Sequence, residues 1–242
     1  MVPPPRAAAD PEPPADVHDD APGDADDPAG EELRAADGRV PGRRGRATRQ
    51  RLLDCTRAML ATTAYRDVKV IDIAREAGTS PATFYQYFAD VEAAVLVLAE
   101  EVAKEAAHLS AIVKDGDWDE ASAPGTAARL VDAFLTFWDD NRPVLRVMDL
   151  ATDEGDTRFR KIRVGFLNDI TRALAEVAQA SVVAKRLPKG TDPMATAGVL
   201  VSMLAHVAAH QYGFEFWGIR TKHLRTSMAR HLAWGITGYV PD

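Results

Sequence analysis

The sequence has few of the features that mark a secreted, membrane-spanning or enzymatic protein. Its 242 residues include one cysteine, Cys55, so no disulfide can form within the chain. No stretch reaches the roughly 18 uninterrupted apolar residues that a membrane-spanning helix needs. The first residues lack a basic start followed by an apolar run, so we expect no secretory leader. These absences favour a soluble, cytoplasmic protein with no membrane partner.

Signatures of catalysis are missing as well. His206 and His210 have the i, i+4 spacing that can hold zinc on a helix, but Val207 stands where the metalloprotease pattern needs a glutamate. The sequence also has no nucleophile motif and no phosphate-cradling loop. We therefore expect no catalytic residue, no metal and no cofactor. An all-helical hydrolase or transferase that uses one of the two histidines is the enzyme alternative.

Acidic residues are concentrated at the start of the chain. Residues 1–38 contain eleven Asp or Glu and two Arg, with almost nothing to pack, so we predict that residues 1–41 are disordered. Residues 1–38 carry −9, so the rest of the chain carries +2 of the net charge of −7. The segment is either an inert solubiliser or an intramolecular competitor for the arginines that follow it.

A basic arm comes next. Seven arginines and one acid, Asp54, lie between Arg39 and Arg57. Such a block by itself is typical of a solvated surface. Here it directly precedes two short predicted helices, and this position favours contact with nucleic acid phosphates.

Apolar spacing predicts four helices from the second half of the arm onward, over residues 48–63, 70–77, 81–87 and 89–107, with an extended link around residues 65–70. Arg49 and Arg57 are expected on the solvent side of the first. Gly78 suits the end of the second, and Thr79 or Ser80 can cap the third. Two short helices joined by a glycine-containing turn form a helix-turn-helix, whose second helix enters the major groove. Phe84 and Phe88 share one face and are expected to anchor that helix.

The run RLLDCTRAMLATTAYRDVKVIDIAREAGTSPATFYQYF resembles the DNA-binding region of the TetR family of bacterial repressors over residues 46–107. The resemblance lies in Tyr65, in Asp72-Ile73-Ala74, in the Ala77-Gly78 turn and in Thr83-Phe84-Tyr85 followed by Tyr87-Phe88. It implies an all-α fold, with a helix-turn-helix domain over residues 42–107 and a helical ligand-binding and dimerisation domain over residues 108–242. It also implies a homodimeric repressor that leaves a palindromic double-stranded DNA operator when a small ligand binds.

Two positions depart from the family pattern. Pro81 stands where a basic or polar residue is frequent, and Val91 where a lysine commonly touches a phosphate. We expect the arginines of the basic arm to supply part of the missing attraction. The predicted DNA-contacting residues are Arg43, Arg44, Arg46, Arg49, Thr79, Ser80, Pro81, Ala82, Thr83, Tyr85, Gln86 and Tyr87.

The C-terminal part is predicted to be helical over residues 126–141, 143–150, 157–183, 193–217 and 221–238. The helix over residues 193–217 is apolar on most of its circumference, which is typical of a helix buried on two sides, one of them by a partner chain. Aromatic and Met side chains in this part favour an apolar pocket for a small lipophilic ligand. The predicted lining is Phe134, Phe137, Trp138, Met148, Phe159, Phe166, Met203, His206, Phe214 and Trp217.

Alternatively, the apolar interior is only core, and the protein is a constitutive or protein-controlled DNA-binding regulator. Ligand screening by thermal shift separates these two possibilities.

Removing residues 1–45 is expected to weaken operator binding and to flatten its salt dependence. The plot of log affinity against log salt concentration has a negative slope, and each lost phosphate contact reduces its magnitude by about 0.9. Fluorescence anisotropy across a salt series measures that slope, and an unchanged slope would contradict a role for the arm. Removing only residues 1–38 isolates the acidic segment, and an equal affinity rules out competition.

Overall fold

The structure is a computed structural model that describes residues 42–239, and all regular elements within this range are helical. This confirms the predicted all-α class. The acidic segment over residues 1–41 lies outside the described residues. The helices are α1 (Arg43–Thr62), α2 (Val70–Glu76), α3 (Pro81–Tyr87), α4 (Val91–Glu105), α5 (Ala107–Lys114), α6 (Ala123–Asp153), α7 (Thr157–Val183), α8 (Pro193–Phe216) and α9 (Thr221–Thr237).

Helices α1, α2 and α3 pack together, and α1 also packs on α4 and α6. As predicted, Phe84 and Phe88 face inward from α3, and both rings are buried. Their centroids lie 5.4 Å apart. They belong to the same apolar core as Leu52 and Leu53 of α1, which are also fully buried. Seven residues make too short a helix to persist alone in water, so α3 depends on this burial.

The turn between α2 and α3 is defined by its hydrogen bonds. Gly78 has a positive φ of 66°, and the Thr79 N–H donates to the carbonyl of Ala74 at 2.8 Å. This is the Schellman arrangement that ends a helix. Ser80 then caps α3 by accepting from the Thr83 N–H at 3.2 Å, and Pro81 occupies the first helical position.

Several predicted bounds at the N-terminal side need correction. α1 begins at Arg43 and not at residue 48, so most of the basic arm is helical. Arginine and alanine favour helix, and Gly45, the glycine inside α1, costs only about 1 kcal/mol relative to alanine. The expected extended link contains a 3-10 turn over Tyr65–Asp67. The fourth predicted helix ends at Glu105, and α5 follows after one residue.

The prediction of two helices over residues 126–150 was wrong, because α6 is continuous through Pro143. Proline lacks the N–H that would bond the carbonyl of Asp139, and this normally ends or kinks a helix. Here Val144 and Leu145, which follow the proline, are fully buried in the core. Asn141 also donates from its side-chain amide to the Phe137 carbonyl at 3.2 Å. Tertiary packing therefore overrides the local preference.

Helices α6 to α9 pack mutually into a bundle, and α4 and α5 lie against α7 and α6. α8 buries one face, with Leu204 and Ala208 fully inside, but leaves Val199 70% exposed on the other. By length and composition, α8 is the one helix among the described residues that resembles a membrane span, and 39% of its apolar window is buried within the protein.

A polar junction joins α1 to the bundle. Arg57 was expected on the solvent side, but it pairs with Glu101 at 3.5 Å and donates to the Asn141 side-chain oxygen at 3.2 Å. Asn141 is buried, and it also donates to Glu105 at 3.3 Å. Burial raises the pKa of Glu101, and the charge of Arg57 opposes this rise. The contacts tie α1 to α4 and α6.

Replacing Phe84 by alanine is expected to lower the free energy of unfolding by about 3–5 kcal/mol, because a fully buried ring leaves a cavity. Urea denaturation followed by circular dichroism measures the loss. Ile71→Ala is the control, since Ile71 lies on α2 with 59% of its surface exposed. Its effect is expected to stay within about 0.5 kcal/mol. Equal losses in the two variants would contradict the anchoring role.

Candidate nucleic-acid interface and ligand cavities

The exposed surface of α3 carries four residues, Pro81, Ala82, Tyr85 and Gln86. Their spacing of three and four residues places them on adjoining strips of the helix. Tyr85 is 53% exposed, and its ring meets the edge of Phe84 at 5.9 Å. The buried Phe84 ring therefore packs against the exposed Tyr85 ring and restricts its position.

Three other residues predicted to contact DNA are half-buried within the protein. Thr83 is half-buried, and its hydroxyl lies 3.0 Å from that of Ser80. Tyr87 is half-buried against the core, and Thr79 is half-buried in the turn. Ser80 itself is exposed. The structure thus presents Ser80 and the four outward residues of α3, while the other three are less accessible.

The predicted arginines lie on the first two turns of α1. Arg43, Arg44 and Arg46 are exposed there, and the first turn contains no acid. Because a helix N-terminus already favours anions, cations at this end add to the attraction for phosphate. Arg49 differs, since it is half-buried with its guanidinium 5.4 Å from the centre of the Phe88 ring. It connects α1 to the residue that follows α3.

The predicted ligand-lining residues fall into two groups. Six of them are buried in the core: Phe134, Phe137, Trp138, Met148, Phe159 and Phe166. Phe134 and Trp138 stack at 5.6 Å, and Phe137 meets Phe166 at 6.1 Å. Phe166 also lines a cavity of about 610 Å³ between α4 and α7.

The second group lies on and just beyond α8. Met203 and Phe214 are half-buried, while His206 is exposed. Trp217 is 72% exposed and meets Phe214 edge-on at 5.6 Å. Met203 packs against the core, whereas Phe214 and Trp217 are not part of it. The assignment of the ten residues to a ligand stays a prediction.

A larger cavity, here called the Arg146 groove, lies between α6, α7 and α8 and has a volume of about 930 Å³. Three arginines and two aspartates line it together with His206 and His210. Another cavity of about 740 Å³ separates the start of α6 from α9. The charged residues lining the Arg146 groove are Arg142, Arg146, Asp149, Asp153 and Arg163.

The histidine pair makes no metal centre with its neighbours. The rings of His206 and His210 stack at 4.3 Å, and the carbonyl of His206 lies 2.9 Å from the His210 Nδ1. Within residues 42–239, no group of three or more His, Cys, Asp or Glu side chains is placed to hold a metal ion.

Sequence reasoning missed one polar cluster beside the Arg146 groove. Arg142 pairs with Asp139 at 3.0 Å, and Gln211 of α8 donates to the same carboxylate at 2.7 Å. Arg142 also lies over the Tyr212 ring at 4.1 Å. The i, i+3 spacing of Asp139 and Arg142 was the available signal. Nothing in the sequence indicated the partners on α8.

Gln86→Ala is expected to weaken binding to a specific DNA site by about 1–3 kcal/mol and to leave binding to random DNA unchanged, because a glutamine amide reads a base edge. Fluorescence anisotropy on the selected and the random duplex measures both. Gln179→Ala removes an exposed glutamine of α7 and serves as the matched control. An equal loss on both duplexes would contradict base readout by Gln86.

Comparisons with known proteins agree with this architecture. The family model for bacterial regulatory proteins of the tetR family matches residues 52–95. The model for the tetracyclin repressor-like C-terminal domain matches residues 109–242. A comparison with curated proteins gave no match.

Solved structures share the fold. The fatty acid degradation regulator FadR from Bacillus halodurans has a TM-score of 0.60 at 16% identity, over 81% of this chain and 97% of that one. A protein of unknown function from Rhodococcus sp. RHA1 has a TM-score of 0.61 at 21% identity, over 78% and 95%. FadR from Bacillus subtilis, in complex with stearoyl-CoA, has a TM-score of 0.58 at 15% identity, over 77% and 98%.

Identities at this level show a common fold alone. The family models carry more weight, since together they match the helix-turn-helix and the whole helical bundle, and the second alone spans more than half of the chain. The protein is a member of the TetR family of bacterial transcriptional regulators.

Proposed function

We propose that the protein is a homodimeric, cytoplasmic repressor that binds a palindromic operator through α3 and leaves it when a small lipophilic ligand binds. The observation that carries the proposal is the outward face of α3, where Tyr85 and Gln86 are exposed on a helix whose inner face is held by Phe84. A capped helix of this kind, preceded by a tight turn, is the form in which helix-turn-helix proteins read the major groove.

The roles of individual residues follow from their chemistry. The Gln86 amide can pair with adenine in a bidentate way, and Tyr85 or Thr83 can meet a thymine methyl or a phosphate. Ser80, at the exposed N-terminus of α3, suits a phosphate contact. Arg43, Arg44 and Arg46 add sequence-independent attraction to the DNA backbone. Arg49 stays a phosphate candidate, with its position set by Phe88.

Exposed apolar residues of α8 support dimerisation. Val199 is 70% exposed, Tyr212 is 58% exposed and Phe216 is 91% exposed, although each belongs to an apolar helix. Large exposed apolar residues on a helix this apolar favour a protein contact over a fully solvated surface. A second copy of the chain, docked by a two-fold axis against the side of α8 that carries Val199, covers that side on both subunits at once. Two α3 helices then face the same side of one DNA duplex.

The apolar interior of the bundle and the fold shared with FadR support a lipophilic ligand. The Bacillus subtilis relative is seen with stearoyl-CoA, and the aromatic cluster around Phe137 and Phe166 offers this chain apolar surface beside a cavity. Release follows if the ligand prefers a dimer whose half-site separation no longer fits the operator. A constitutive regulator is the alternative, and unchanged DNA affinity across a ligand screen would favour it.

Selection of genomic fragments by the purified protein, followed by sequencing, tests the proposal. The expected result is a palindrome whose half-sites are centred about 34–36 Å apart, one turn of DNA. Val199→Glu is expected to enrich single half-sites or nothing, because a charge on the exposed face of α8 opposes dimerisation. Sedimentation of both proteins checks their oligomeric state directly.

Ala121→Glu is the matched control, since it adds the same charge at an exposed position before α6. This variant is expected to keep both the palindrome and the dimer. Salt-sensitive binding by the wild type without any enriched motif would overturn the role of α3 and would leave only the basic arm. A palindrome retained by a monomeric Val199→Glu protein would overturn the dimer.

A further inference from the structure

The Arg146 groove contains one arginine that makes no ion pair within residues 42–239. Two of its three arginines have partners, since Arg163 pairs with Asp149 at 2.6 Å and Arg142 with Asp139 at 3.0 Å. The Arg146 side chain is exposed and has neither a hydrogen bond nor an ion pair with any residue from 42 to 239. An anion that enters the groove can therefore pair with the Arg146 guanidinium without displacing a protein partner.

The rest of the groove suits an apolar body behind an anionic head. Leu167 of α7 and Val201, Ala205 and Ala209 of α8 line it beside the charged residues. Its volume of about 930 Å³ lies within the range of small-molecule sites, roughly 300–1,000 Å³. Asp153, the remaining acid of the lining, lies at the C-terminal end of α6, two turns from Arg146. The groove therefore has a cationic end and an apolar wall.

Arg146 and Leu150 also line a second cavity, here called the junction cavity, of about 230 Å³. Its opposite wall consists of residues at the end of α1 and in the following turn, among them Leu60 and Tyr65. Burial and the neighbouring acids, foremost Glu92, raise the pKa of Tyr65 to about 12, so its hydroxyl stays protonated. The stretch of α6 from Pro143 to Leu150 thus lies between the Arg146 groove and the end of α1, and α1 packs against α3.

That stretch is also the place where α6 lacks a backbone hydrogen bond. Pro143 lies one turn before Arg146 and lines the junction cavity. Because Pro143 has no N–H, the turn is less firmly held than the rest of α6. A ligand that reorients Arg146 therefore acts on a deformable turn in contact with the DNA-binding helices.

We propose that the Arg146 groove binds a small amphipathic anion, a carboxylate or a phosphate with an apolar tail, and that Arg146 pairs with the anionic head. The inference rests on the proposed function for its regulatory meaning and names the class of ligand. It places the head on the polar flank of α6 and the tail along α8, in a site separate from the cavity that Phe166 lines. Guanidinium binds both anions with two parallel hydrogen bonds, so both head groups fit.

Isothermal titration calorimetry with octanoate, octyl phosphate and octanol tests the site on the full chain. We expect one or both anions to bind and Arg146→Gln to weaken that binding by about tenfold or more, as loss of a hydrogen bond to a charged group does. Octanol, which has the tail and no charge, is expected to respond equally in both proteins. The tighter of the two anions identifies the head group.

Arg160→Gln is the matched control, because Arg160 is an exposed arginine of α7 that lines none of the cavities described above. It is expected to bind the anions like the wild type. Arg146→Lys keeps the charge and is expected to recover part of the affinity that Arg146→Gln loses. Equal melting temperatures of the three variants and the wild type show that the fold is intact.

The proposal is overturned if neither anion binds, or if Arg146→Gln and Arg160→Gln bind them equally. Failure of the proposed function is seen separately, since fragment selection without any ligand reports only on α3 and the dimer. If a palindrome is enriched but Arg146→Gln binds the anions as tightly as the wild type, this inference alone is overturned. If Arg146→Gln weakens anion binding but no palindrome is enriched, the proposed anion site is supported and the proposed operator binding is overturned.

Discussion

Burial of the Phe84 ring is the interaction on which the DNA-contacting surface depends. α3 has only seven residues, far fewer than an isolated helix needs in water. The ring holds the helix on the core, Ser80 caps its first turn, and the Schellman turn at Gly78 sets the direction from which it begins. Tyr85 and Gln86 are therefore ordered by the burial of their neighbour. Little of their ordering entropy is left to be lost on binding DNA.

A second constraint connects this surface to the bundle. Asn141 is almost fully buried, and its amide is bonded to Arg57, Glu105 and the Phe137 carbonyl. A buried amide that loses such partners carries a desolvation cost of about 1–3 kcal/mol. The orientation of α1 relative to α4 and α6 is thus maintained by a polar network as well as by packing. Any rearrangement of the two parts has to supply new partners for Asn141.

Local signals predicted much of the fold. The bounds of α3 and α7 were predicted within a residue because serine, proline and the glycine turns mark helix ends by their own chemistry. The continuity of α6 and the position of Arg57 were not, since both depend on partners distant in sequence. Exposure of Val199 was equally hidden, because an apolar helix does not reveal which face is covered. Likewise, Arg146 and Asp149 share the i, i+3 spacing of the Asp139–Arg142 pair, so the sequence did not indicate that Asp149 pairs with Arg163 instead.

The proline inside α6 gives the helix a mechanical property. With 31 residues at about 1.5 Å each, α6 is roughly 46 Å long, and Pro143 divides it into arms of about 30 and 15 Å. A bend of about 5° at this turn moves the tip of the longer arm by roughly 2–3 Å. The shorter arm carries Arg146 and Leu150, while the longer arm holds α9 through the pair of Asp132 and Arg225. Along the helix, Asp132 lies about 17 Å from Pro143 and Arg146 about 5 Å. A bend at this turn therefore moves the contact with α9 about three times as far as it moves Arg146, while the end of α1 lies beside the turn, across the junction cavity.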